Sequence, residues 1–132
     1  MENKENNGKR ENRGFRDLIV YQLSFQLGLE IFEITKSFPK EEKYAITDQI
    51  RRSSRAVAAI IAEAWAHRKY EKSFISKLIN AKGEAAETEV WIDFSKVHNY
   101  INEENQIYFL NKYNEVGKML NSMINQPEKF CK

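Results

Sequence analysis

Residues 38–66 read FPKEEKYAITDQIRRSSRAVAAIIAEAWA, and this stretch decides the fold. Proline pushes the residue before it out of helical backbone, so a preceding helix must stop at Ser37-Phe38-Pro39. Beyond it, Glu41 and Glu42 stand where the positive end of a helix dipole favours acids. Ile50, Ser53, Val57, Ile60, Ile61 and Ala64 then recur at helical spacing and form a core row. A strip of Ala58, Ala59, Ala62 and Ala66 occupies a different face. Alanine fills little space, so this strip suits the close approach of another backbone, from the bundle itself or from a neighbouring subunit. The expected helix begins after Pro39, with a loose first turn, and ends near residue 66.

Three further helices flank it. Toward the amino end, residues 15–36 carry Leu23, Leu27, Ile31 and Ile34 in one apolar row, with Tyr21, Phe25 and Phe32 in a second beside it. Gln22, Gln26, Glu30 and Glu33 make a narrow polar stripe, so this helix is expected to be covered on most sides. Toward the carboxyl end, residues 70–100 place Phe74, Leu78, Ala81, Ala85, Thr88 and Ile92 on one face, widened by Ile75, Ile79, Ala86, Val90 and Val97. Gly83 lies inside at a cost of about 1 kcal/mol against alanine. Asn102 reads as the N-cap of the last helix, with Glu103 and Glu104 in its first turn. Leu110, Tyr113, Val116, Leu120 and Ile124 form its core row, and Pro127 closes it. The fold class is all-α: an up-down antiparallel four-helix bundle over residues 15–126. Residues 1–14 read as a disordered polar tail, too poor in apolar groups to offset ordering, and residues 127–132 as a C-terminal tail.

Composition agrees. A chain of 132 residues with 42% hydrophobic and 30% charged residues suits one domain with its own core. Five glycines and two prolines favour long helices over a turn-rich β-fold. The single cysteine, Cys131, allows no internal disulfide and reads as an incidental thiol on a frayed end. The first fourteen residues hold no apolar segment, and no apolar run approaches the roughly 20 residues that span a bilayer. A cytoplasmic location and no membrane partner are expected. Net charge is +2, but residues 40–82 carry ten basic and five acidic groups, and residues 83–132 carry five basic and eight acidic. Such a split fits an anionic partner, or complementary contacts between subunits.

The densest charge cluster is Arg51, Arg52 and Arg55. Asp48 is placed to pair with Arg51 or Arg52, which leaves Arg55 in want of an anion. A phosphate suits it, because guanidinium forks bind phosphate in bidentate fashion, and so does a carboxylate from the third helix or a neighbouring subunit. A second basic run, His67, Arg68, Lys69 and Lys72, spans the turn between the second and third helices, with Trp65 and Tyr70 interleaved. Arg51, Arg52, Arg55, Arg68, Lys69 and Lys72 are therefore the candidate nucleic-acid-binding residues, for RNA or DNA. Trp91 falls among Asn80, Glu84, Glu87 and His98 on the polar side of the third helix, and a large aromatic there marks a contact surface. Ala58, Ala62, Trp65, Glu84, Glu87 and Trp91 are the candidate residues of a homo-oligomeric interface.

Catalysis is not expected. His67 and His98 are the only histidines, and no spacing of histidine, cysteine and carboxylate matches a zinc site. The Glu-x-x-His pairs of di-iron bundles are missing, since Glu63 and His67 are four apart and Ser95 stands three before His98. Ser53 and Ser54 have no placed base, and no glycine-rich phosphate loop occurs. No metal or cofactor is implied. Glu63, among small residues, is expected to be partly buried and to need a partner.

Phe38-Pro39-x-Glu41-Glu42-x-Tyr44, the run from Gln49 through Val57, and Ile61-Ala62-Glu63-Ala64-Trp65 resemble the signature of the four-helix bundle proteins also called 23S rRNA intervening sequence proteins. Phe15-Arg16-Asp17-Leu18, Phe74-Ile75-Ser76-Lys77-Leu78 and Gly83-Glu84-Ala85-Ala86-Glu87-Thr88 fit the same pattern, which covers residues 15–124. The resemblance implies an up-down bundle that assembles into a ring-like homopentamer. It implies no assigned biochemical activity for most members, and marks Gln49, Arg51, Arg52, Glu63 and Glu87 as pattern positions. A related branch serves diversity-generating retroelements as an accessory protein to the reverse transcriptase, where a basic surface contacts nucleic acid. This chain departs from the pattern at Ala56, Ile60 and Ala64. Two roles follow as expectations: an RNA-associated bundle, or a homo-oligomeric scaffold that binds another protein.

Overall fold

A computed structural model describes residues 14–131, so most of the tail expected over residues 1–14 lies outside the described residues. Four helices form the domain: α1 (Ile19–Thr35), α2 (Ile46–Ala66), α3 (Glu71–Val97) and α4 (Glu103–Asn125). Single 3₁₀ turns stand at Phe15–Asp17, Lys40–Glu42 and Pro127–Lys129, and no strand occurs among the described residues. Each helix packs most closely on its neighbour in sequence, and α1 meets α4 more loosely to close the bundle. No helix of the described chain is long and apolar enough to cross a membrane.

The helix ends have local causes. α1 starts at Ile19 rather than Phe15, because Leu18 is extended and drives its side chain into the core. The Glu42 carboxylate accepts the Ile46 N–H at 3.3 Å and so serves the start of α2. α3 stops where Asn99 turns left-handed, with φ 62°. The Tyr100 N–H then returns to the Ser95 carbonyl at 2.8 Å, and the Asn99 N–H to the Lys96 carbonyl at 3.0 Å, which helps satisfy the carbonyls of the last turn. Asn102 caps α4 as its sequence suggests, its Oδ1 accepting the Asn105 N–H at 2.7 Å. Asn102→Ala is expected to lower stability by about 1 kcal/mol, read as a lower thermal midpoint with unchanged helix content at 20 °C.

The core row of α3 lies where the spacing puts it, with Phe74, Leu78, Ala81, Ala85, Thr88 and Ile92 all buried. A polar contact crosses this core: Ser53 of α2 meets Thr88 of α3 at 2.7 Å. Each hydroxyl also reaches a carbonyl of its own helix, Thr88 that of Glu84 at 2.9 Å and Ser53 that of Ile50 at 3.4 Å, so whichever proton is shared between them, the pair is satisfied within the core.

Several face assignments need correction. On α1 the buried residues are Val20, Ser24, Leu27, Gly28, Ile31 and Thr35; Leu23 and Ile34 sit at the margin, and Phe25 and Leu29 are exposed. α1 is thus bare on one side instead of covered on most. On α4, Phe109 and Met123 take core places, while Leu110 and Ile124 are half-buried. Ile79, Ala86, Val90 and Val97 of α3 are exposed and do not widen the core.

As far as Cys131, the chain after α4 folds back onto the bundle. Residues 127–129 turn back, and the Phe130 ring lies 6.2 Å from Phe74 and 6.4 Å from Trp65. That contact carries Cys131 to a half-buried position, where burial pushes its thiol pKa upward.

Candidate functional site

The six basic candidates divide by what they touch. Arg51 leans onto α1: its Nε donates to Thr35 Oγ1 at 2.8 Å, Nη2 donates to the Phe32 carbonyl at 3.4 Å, and the guanidinium lies 4.4 Å from the Phe32 ring centroid. The pairing expected between Asp48 and an arginine does not form; Arg51 is drawn instead to the Thr35 hydroxyl, the Phe32 carbonyl and the Phe32 ring near the end of α1. Arg68 is likewise folded onto its own chain, 3.8 Å over the Trp65 ring and donating to the Trp65 carbonyl at 3.0 Å. Arg52, Arg55, Lys69 and Lys72 are exposed, and none has an anionic partner among the described residues. Arg55 does brace against Phe32, at 5.3 Å. The free arginines lie on the first half of α2 and the free lysines beyond its far end. At 1.5 Å per residue they are separated by about 20 Å along the helix, so they do not converge on one site.

Two polar residues singled out in the sequence have structural partners. Glu63 is exposed and not partly buried, and it meets Lys77 Nζ at 3.3 Å. His67 Nδ1 lies 2.7 Å from Ser73 Oγ and staples the turn between α2 and α3. No group of three or more metal-ligating side chains occurs among the described residues.

The interface candidates separate into two regions and a core residue. Ala58 and Ala62, with exposed Ala59, form the floor of a groove of about 570 Å³ between α1 and α2. Phe25 and Phe32 line its α1 side, and Arg55 also borders it. Trp65 is 7% exposed and lies inside the chain's own core, under Arg68 and against Phe130. On α3, half-buried Trp91 donates from Nε1 to Glu87 Oε2 at 3.0 Å. Partial burial, and then the charge of Glu87, push the Glu84 carboxyl above its ordinary pKa.

One region escaped the sequence reading. Ile79, Ala86, Val90, Phe94 and Val97 form an exposed ridge along the outside of α3, with the four larger side chains 53%, 47%, 46% and 74% exposed in chain order. The same helix buries Phe74, Leu78 and Ile92 on its other side. A helix with apolar residues on opposite faces is normally covered on both. The signal was the number of apolar positions on this helix, more than one face accommodates.

The family model described as 23S rRNA-intervening sequence protein matches residues 16–122. The crystal structure of a protein with unknown function from the S23 ribosomal protein family of Bacteroides thetaiotaomicron is similar, with a TM-score of 0.73 and 31% identity over 81% of this chain and 96% of that one. No curated protein matches the chain.

Proposed function

The chain belongs to the 23S rRNA-intervening sequence protein family, and on that footing we propose that it is a self-associating helical scaffold that acts by presenting surfaces rather than by chemistry. The single observation that carries this reading is the ridge outside α3. Each square ångström of apolar surface left in water forgoes about 25 cal/mol, and a ridge of four large side chains invites cover. A closed ring of copies, such as the homopentamer that the sequence resemblance implies, supplies that cover symmetrically.

Val90→Glu combined with Phe94→Glu tests it. Both side chains are exposed, so the single bundle keeps its helices and its circular dichroism. The unaltered protein is expected to scatter light as a multiple of 15.6 kDa, and the double variant as one chain. Equal masses for the two proteins would refute the reading.

A second reading, binding of RNA or DNA by the assembled bundle, is favoured by four basic residues that lack anionic partners among the described residues: Arg52, Arg55, Lys69 and Lys72. Such binding draws on released counterions, so affinity falls steeply with salt. Structured RNA is expected to shift in a gel at ~50 mM salt and to lose the shift as salt rises; no shift at low salt excludes it.

A further inference from the structure

The α1–α2 groove is a recess bordered by Arg55 and the α3 ridge is an exposed apolar row with Glu89 near it, and the two lie on different helices. The groove has a floor of Ala58, Ala59 and Ala62. Side chains this small let a third helix approach to the near limit of interhelical packing, about 8 Å between axes. On the ridge, Ile79, Gly83, Ala86, Val90, Phe94 and Val97 follow one another at steps of three and four, the seam of one helix laid along another. Gly83 lies at the exposed surface, and a Cβ built there would meet nothing within 4 Å. In the single chain that glycine costs about 1 kcal/mol against alanine and relieves no crowding. Its place is intelligible if another backbone passes close by.

Charge points the same way. Arg55 borders the groove with no anionic partner among the described residues. Glu89 stands beside Val90 on the ridge helix, half-buried, with neither a cation nor a hydrogen-bond donor on it among the described residues. Partial burial, and then Asp93 four residues on, raise the Glu89 pKa, which is the condition of a carboxylate short of positive charge. Asp93 itself accepts a hydrogen bond from Gln106 at 3.1 Å.

Resting on the self-association reading, we propose that the α3 ridge of one copy seats in the α1–α2 groove of a second copy, with Arg55 of the groove facing Glu89 of the ridge. Each chain then offers one groove and one ridge. The contact is head-to-tail rather than two-fold, and it propagates until a ring closes. Arg55 is used up in the contact, and any anion that the assembly binds is left to Arg52, Lys69 and Lys72.

Cross-linking of two variants tests the arrangement. Both carry Cys131→Ser; one adds Ala59→Cys at the groove floor, the other Val90→Cys on the ridge. With a short bismaleimide, the mixture is expected to yield a two-chain product that neither variant yields alone. A chain with both new cysteines is expected to yield a ladder of products up to the closed assembly. If Val90→Cys cross-links to itself, ridge meets ridge and the proposal is overturned, although self-association stands. If nothing cross-links while light scattering still gives a multiple of the chain mass, other surfaces associate and the proposal again falls. If the protein is a single chain at every concentration, the self-association reading falls with it. A charge exchange gives an independent measure. Arg55→Glu alone is expected to weaken association about tenfold or more, and Arg55→Glu with Glu89→Arg to recover most of it. Failure of the exchange to recover association overturns the pairing.

Discussion

Phe74→Ala is expected to remove about 3–5 kcal/mol from the unfolding free energy, a large share of the roughly 5–15 kcal/mol that a domain possesses. The Phe74 ring has no exposed surface. It lies at the start of α3 and stacks on Phe130, which in turn meets Trp65 of α2 edge-on. Its loss opens a cavity among three elements. Trp65 is held under the Arg68 guanidinium and cannot tilt far to fill it. Urea unfolding followed by circular dichroism provides the check: the midpoint should fall while the slope stays constant. Phe130→Ala should cost less, because that ring is only half-buried, and the pair should show a coupling of about 0.5–1.5 kcal/mol in a double-mutant cycle. A loss below about 1 kcal/mol for Phe74→Ala would mean that the closed end of the bundle is not packed as described.

Raising the pH past 10 is expected to unfold the bundle cooperatively, with Tyr113 as the main cause. Its ring is 1% exposed, and its hydroxyl has no hydrogen-bond partner among the described residues. Burial, and then the charges of Glu30 and Glu89, push its ionisation well above the ordinary 10.0. Tyr108 and Tyr100 are raised too, chiefly because each donates a hydrogen bond to a carboxylate, Glu30 and Glu42 respectively. In all three the folded chain holds the phenolic proton more tightly than the unfolded chain. Above pH 10 the unfolded chain releases those protons first. This contribution to stability is therefore complete below 10 and drains away as the pH climbs, by about 1.4 kcal/mol for each unit between the two pKa values. Tyr100 and Tyr108 are near the surface and add little. Phenolate absorbance and helicity measured together should show the last tyrosine ionising as the helices melt. Tyr113→Phe should move the alkaline midpoint upward and leave neutral stability equal or higher, since the lost hydroxyl had no partner. Ionisation of Tyr113 with the helices intact would contradict its burial.

These two side chains also mark what residue spacing can tell. Phe74 and Tyr113 are in the rows that periodicity gives, because a buried stripe must repeat at 3.6 residues whatever the neighbours are. The Asn102 cap was legible for a similarly local reason: one side-chain oxygen reaches an N–H three residues on. Ile79, Val90 and Val97 were misplaced because periodicity identifies apolar arcs and does not say which arc turns inward. On α3 both sides are apolar, and only the packing of α2 and α4 decides. Phe130 gave no periodic signal, being a lone ring in a polar stretch after Pro127. Its position depends on a space between Phe74 and Trp65, two residues that are neighbours only once α2 and α3 are paired. The basic candidates were visible as residues but not as a site, since the direction of a long flexible side chain is settled by whatever ring or carbonyl lies within its reach.

Arg51, turned against the end of α1, has a practical bearing on attempts to alter the electrostatics of this molecule. Formal charge counts it equal to Arg52, yet its neutralisation would be felt first in the melting curve, because two hydrogen bonds to the adjoining helix and the contact with the Phe32 ring would go with it. Lysine at 51 would preserve the valence but not the planar fork that grips Thr35 and rests on Phe32. A designer who wants to strip positive character while sparing the scaffold would begin at Arg52, Lys69 and Lys72, and leave Arg51 and Arg68 in place.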